Sequence, residues 1–242
     1  MSRPPQFVLV HGAWHGAWCW SRVLPLLRGA GHRAHAVTLT GVGDRAHLMA
    51  ANIGLATHIE DVLALIRCEE LNDIVLVSHS YAGVVVTGAA DALVRMRPGV
   101  LRHLVYLDAS APRSGESWSS GHNPEVVTGR IAAAAPSGGL SLPPPDAGVF
   151  GLAGADRDWV NRRQTPQPFA LYREALVYDE PRVDSVTRTF IDCNNPPLAN
   201  IDRMRLRVRS EPGWRVIEMA TGHDAMVSSP EELATILLGC AT

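Results

Sequence analysis

Residues 74–90, IVLVSHSYAGVVVTGAA, decide the fold of this chain. The run Ile74-Val75-Leu76-Val77 is apolar and β-branched over four residues, which reads as a buried strand. From Ala82 onward the pattern changes to small and apolar residues of a helix, leaving only Ser78-His79-Ser80-Tyr81 to make the turn. A strand that passes straight into a helix through a serine-bearing turn holds that serine at a strained tip, exposed at a sheet edge. Small residues are needed two before and two after it, because strand and helix backbones approach closely there. Ala82 is the small residue two after it, with Gly83 next, and Ser78 stands two before it, where glycine is usual. A GxSxG-like string arises by chance fairly often, so the flanking strand and helix carry the argument. The bland reading of Ser80, a helix cap, is compatible with a nucleophile, since the helix start offers free N–H groups and a positive dipole end to an oxyanion.

Outward from this turn, short apolar runs recur at 7–10, 33–39, 73–77, 103–108, 187–192 and 215–219, with helical patterns at 18–28, 57–67, 82–95 and 230–238. Alternation of this kind predicts an α/β fold: a doubly wound, mainly parallel six-stranded sheet with right-handed crossovers. If the strand order is 2-1-3-4-5-6, strands one and three are neighbours at the switch point where open sheets bind ligands. The alternation fails between residues 110 and 186, a segment rich in Pro, Gly, Ser and Ala that also carries Trp118, Phe150, Trp159, Phe169 and Tyr172. An excursion of that length with aromatic content reads as a cap inserted after the fourth strand. The expected organisation is therefore core 1–109, cap 110–186 and core 187–242, as one α/β domain of 242 residues.

Two loops complete the expected site. The first strand ends in His11-Gly12-Ala13-Trp14-His15-Gly16, where glycines let the backbone aim N–H groups inward; Ala13 and Tyr81 are the expected oxyanion donors. His11, His15 and His79 read as loop-holding imidazoles. After the last strand comes Thr221-Gly222-His223-Asp224-Ala225-Met226, and a histidine there is placed to serve as base to Ser80. Trp14, Tyr81, Trp118, Phe150 and Met226 are candidates for an apolar substrate wall, against a purely core role for each. Asp224 reads as a stabiliser of its own turn.

The strings FVLVHGAWHGAWCW (7–20), THIEDVLALI (57–66), SHSYAG (78–83) and TGHDAM (221–226) resemble one branch of the α/β-hydrolases. That branch holds plant methylesterases, hydroxynitrile lyases, and bacterial salicylate-esterase-like and pyrethroid-esterase-like enzymes. The resemblance spans nearly the whole chain outside the cap. It implies hydrolysis of small carboxylic esters through an acyl-enzyme, with no metal and no organic cofactor. The plant members carry the acid of the triad a few residues beyond the fifth strand, where this chain has Asn195 or Pro196. Asp108, ending the fourth strand at the same sheet edge, is the leading choice for that role, with Asp192, Asn195 and Asp202 as alternatives.

A lyase is the first competing function. Relatives with that activity have a threonine at the position of Gly12 and a lysine at that of Asp224, so a cyanide leaving group lacks its cationic partner here. A ligand-binding protein that keeps the fold with little turnover is the second; a damaged triad would be its mark. Composition narrows the partners. A net charge of -2 gives no field to capture nucleic acid or an anionic membrane. Four cysteines, scattered singly, read as reduced thiols of a cytoplasmic protein, and no run reaches a membrane span. A small-molecule ester is the expected partner, with a homodimer compatible with the composition.

Overall fold

The computed structural model describes residues 4–242. Six parallel strands form one sheet: β1 (Gln6–Val10), β2 (Ala34–Val37), β3 (Ile74–His79), β4 (Leu101–Leu107), β5 (Thr187–Cys193) and β6 (Trp214–Met219), in the order β2-β1-β3-β4-β5-β6. β1 and β3 are buried along their whole length, as continuous apolar runs must be when helices cover both faces. The helices are α1 (Leu24–Gly29), α2 (Leu55–Cys68), α3 (Ala82–Met96), α4 (Pro124–Ala134), α5 (Gly154–Asn161), α6 (Glu180–Asp184), α7 (Asp202–Ser210), α8 (Ala225–Ser228) and α9 (Pro230–Gly239). α2 packs on α3, and α1 on α9.

Two helical stretches differ from the sequence reading. The pattern at 18–28 is not one helix: a 3-10 turn at Ala17–Trp20 ends, and Pro25 opens α1. Proline has no N–H to continue a helix but is well suited to its first turn, so it divides the two. α7 carries Arg203, Arg205, Arg207 and Arg209, which makes it read as polar all round. It buries Met204, Arg205 and Val208, and forms the crossover between β5 and β6.

Between β4 and β5 lie α4, α5, α6 and two short ribbons, Glu116–Ser117 with Ala175–Leu176 and Ser141–Leu142 with Gln167–Pro168, with α6 packed on α3. This segment is tied to the loop after β1. Trp14 donates its indole N–H to the Leu142 carbonyl at 3.2 Å and its backbone N–H to Gln167 Oε1 at 3.1 Å. Its own carbonyl accepts from the Thr165 N–H at 2.9 Å. Trp14 holds φ at 65°, a conformation rare for a bulky residue, and these three bonds hold it there.

Candidate active site

Ser80 sits between β3 and α3 with φ at 54°. Its backbone N–H donates to the Leu107 carbonyl at 3.2 Å, and its carbonyl accepts from Ser110 N–H at 2.9 Å, so the turn is clamped to the end of β4. Two glycines permit this approach. A Cβ on Gly83 would lie 1.8 Å from the Ser110 carbonyl oxygen, and one on Gly12 would lie 2.9 Å from Ser80 Cβ. Ser78, standing where a glycine is usual, is fully buried and donates its hydroxyl to the Val105 carbonyl at 3.1 Å.

Asp108 also has a positive φ, 41°, immediately after β4, and donates its N–H to the Ile191 carbonyl at 2.8 Å. One carboxylate oxygen accepts from His223 Nδ1 at 2.7 Å; the other accepts from Arg205 of α7 at 2.7 Å. Asp108 is fully buried, and a charge so placed needs such partners. The alternatives are elsewhere engaged. Asp192 accepts from Arg205 and Arg209, each at 2.6 Å, Asp202 from Arg205 at 2.7 Å, and Asn195 is exposed.

The Ala13 and Tyr81 residues are buried, and among the described residues neither backbone N–H meets an acceptor. Buried N–H groups are rarely left so. The loop carrying Ala13 is held by two imidazoles. His11 accepts the Leu39 N–H at Nε2, 3.0 Å, so Nδ1 carries the proton donated to the Gly12 carbonyl at 2.7 Å. His15 donates to the Ala13 carbonyl at 2.7 Å and to Asp224 at 3.1 Å, linking this loop to the one that carries His223. Burial pulls His15 down, but the attraction of Asp224 and both hydrogen bonds more than reverse it, so its pKa is raised. Burial raises Asp224, and His15 overcomes this to leave it below the usual carboxylate range. Asp224 supports its own turn only through its carbonyl, which accepts from the Val227 N–H at 2.8 Å, and not through its side chain, which crosses to the loop after β1. His79 donates to the His223 carbonyl at 3.1 Å, and burial holds it neutral.

A cavity of about 290 Å³ is lined by Ser80 and His223 together with Trp14, Trp118 and Phe150, and by Arg130, His122, Val126, Val149, Leu198 and Ile201. Two expected wall residues differ. Met226 is fully buried in the core and is not part of the lining, because α8 turns it inward. The Tyr81 ring packs behind Trp118, at 4.9 Å between centroids, with its hydroxyl 3.1 Å from His58. Arg130 and His122 had no sequence signal beyond a lone arginine in the apolar run from Val126 to Ala135.

Burial depresses His11 to about 3 and His58 to about 4, against 6.5 for a free imidazole. Below pH 6.5 the unfolded chain takes up protons at these positions and the folded one does not, so stability falls as pH drops. The raised His15 acts oppositely, but only above pH 6.5. Each depressed imidazole is worth on the order of 2 kcal/mol between pH 7 and pH 5. His11 and His58 alone should lower urea midpoints across that interval by the equivalent of about 4 kcal/mol, and His79 and His122, depressed in the same way, act in the same direction; a flat midpoint contradicts the assignment of buried neutral imidazoles.

A model of the Alpha/beta hydrolase family matches residues 7–236, and the chain belongs to that family. A carbendazim hydrolyzing esterase of Nocardioides sp. is 42% identical over 236 residues, covering 94% of this chain and 96% of that one. Methylesterase 2 of Arabidopsis thaliana is 29% identical over 264 residues, with 99% and 97% covered. Among solved structures, an extracellular α/β-hydrolase from a Paenibacillus species, described as sharing structural and functional homology to tobacco salicylic acid binding protein 2, superposes with a TM-score of 0.85. It is 20% identical and covers 98% of this chain and 99% of its own.

Proposed function

We propose that this chain is a carboxylesterase in which Ser80 is the nucleophile, His223 the base and Asp108 the acid that orients it. The observation that carries this reading is a serine at positive φ opening onto the same cavity as an imidazole whose Nδ1 is held by a buried carboxylate at 2.7 Å. His223 Nε2 takes the proton of Ser80 as Oγ attacks the ester carbonyl. The Ala13 and Tyr81 N–H groups receive the tetrahedral oxyanion. Protonated His223 then gives its proton to the leaving alcohol, and water repeats the sequence to release the acid and restore Ser80. Asp108 fixes the tautomer with Nδ1 protonated and stabilises the imidazolium.

Small esters with apolar or aromatic groups suit a cavity walled by Trp14, Trp118 and Phe150. The esterase names of the relatives support the same reaction, and carbendazim and methyl esters are the first substrates to try. Residues 110–186 act as the cap and 1–109 with 187–242 as the core. The free thiols of Cys19, Cys68, Cys193 and Cys240 support a cytoplasmic site of action, and no described helix is long and apolar enough to cross a membrane. A lyase has no cation in the base loop, because Asp224 follows His223 and is engaged by His15.

Incubation with 4-nitrophenyl acetate and rapid acid quench tests the reading. Turnover together with an acetyl group on the peptide carrying Ser80 is expected. Hydrolysis without an acylated serine, or no hydrolysis of any ester, overturns it.

A further inference from the structure

Arg130 differs from the other partly buried arginines. Arg188, Arg205 and Arg207 each meet a carboxylate, whereas Arg130 pairs with none among the described residues. Its Nη1 is buried without a hydrogen-bond partner. The guanidinium lies over three ring faces, at 5.0 Å from Trp14, 4.8 Å from Trp118 and 5.4 Å from Tyr172. Those faces recover part of the cost of burying the charge, but they accept nothing from the N–H edge.

The same residue lines the cavity that holds Ser80 and His223, and it also lines the neighbouring groove formed by Leu142, Pro143, Pro144 and Pro145. His122, the other ionisable group on the cap side of the cavity, brings no competing charge: burial and the nearby guanidinium hold it neutral, at about 3, with its Nδ1 2.8 Å from the Tyr172 hydroxyl. The acidic groups at the site are committed, Asp108 to His223 and Arg205 and Asp224 to His15. The cavity therefore combines apolar aromatic walls with one positive group whose donors lack protein acceptors.

We propose that Arg130 is an anion subsite of the active-site cavity, selecting esters that carry a second, ionised carboxylate on an apolar or aromatic frame. The planar fork of a guanidinium matches a carboxylate through two parallel hydrogen bonds, and a ligand carboxylate supplies the missing acceptor in a site already desolvated. This rests on the esterase reading for its substrate but not for its binding, so the two can fail separately.

The test compares two esters of equal shape, monomethyl terephthalate and methyl 4-carbamoylbenzoate, which differ by one carboxylate. In the wild-type protein kcat/KM is expected to be about 10- to 100-fold higher for the carboxylate, chiefly through KM, as a charge-assisted hydrogen bond is worth. Arg130→Met should collapse that ratio toward one, and Arg130→Lys should retain part of it. If Arg130 only latches the cap on Trp14 and Trp118, both substrates fall together and the ratio is unchanged, which overturns the proposal.

Calorimetry on the wild-type protein separates binding from turnover. Terephthalate should bind about 10-fold or more tightly than terephthalamide, which has the same shape and no carboxylate, and Arg130→Met should lose that difference. Equal affinities overturn the subsite even if a variant does not fold. Tighter terephthalate binding without hydrolysis of either ester keeps the subsite and rejects the esterase reading.

Discussion

Replacing Ser80 with alanine is expected to lower kcat for ester hydrolysis by about 10⁶-fold, the loss seen when a triad nucleophile is removed while the oxyanion donors and binding cavity stay in place. The protein should remain folded. Alanine meets the same φ of 54° that serine does and retains the Cβ, while the clamps on this turn use the backbone N–H to Leu107 and the backbone carbonyl to Ser110. Steady-state rates with 4-nitrophenyl acetate and a urea midpoint within about 0.5 kcal/mol of wild type would separate lost chemistry from lost structure. Retention of near-wild-type kcat rejects Ser80 as nucleophile.

Asp108→Asn should cost about 10⁴-fold in kcat, since an amide neither enforces the Nδ1-protonated tautomer nor stabilises the imidazolium. The fold has a reason to tolerate the change: the amide oxygen can still accept the Arg205 hydrogen bond that the carboxylate accepts at 2.7 Å. Asp192→Asn is the contrasting variant. Its carboxylate bridges Arg205 and Arg209 at 2.6 Å each, so its loss should lower stability, by about 3 kcal/mol for a broken buried pair, and reduce kcat far less. Purified variants compared by kcat and urea midpoint should therefore show opposite dominance. If Asp192→Asn is the catalytic lesion and Asp108→Asn is mild, the acid has been assigned to the wrong strand.

The sheet was legible because β1 and β3 carry unbroken apolar runs, Phe7–Val10 and Ile74–Val77, and strand-like runs alternate with helical patterns; crossovers fix its handedness, while the order of the six is seen only in the structure. The β3 turn was legible for a local reason: small residues stand at 78, 82 and 83 around Ser80, and a Cβ at 83 would strike the Ser110 carbonyl. What could not be read was whatever depends on partners distant in sequence. α7 looks too polar to pack, yet Arg205 is the group that neutralises Asp108 and Asp192 together, and its position is fixed by the β5–β6 crossover. Met226 looked like a wall residue and lies in the core, because α8 is a single turn whose facing cannot be inferred from four residues. Asp224 sits beside His223 in sequence but bonds to His15, two hundred and nine residues away. Arg130 belongs to the segment between β4 and β5, whose Pro- and Gly-rich sequence has no period to say which side chains point inward.

The central claim is that Ser80 is activated by His223, and a fluorophosphonate tests it most directly, because such a reagent phosphonylates an activated serine hydroxyl and leaves ordinary serines untouched. Intact-mass and peptide mass spectrometry of the treated wild-type protein should show one adduct per chain, on the peptide containing Ser80, with loss of ester turnover in proportion. His223→Ala should abolish the labelling while the protein stays folded. An adduct on a different serine, or full ester turnover in protein that resists the reagent, would contradict the account.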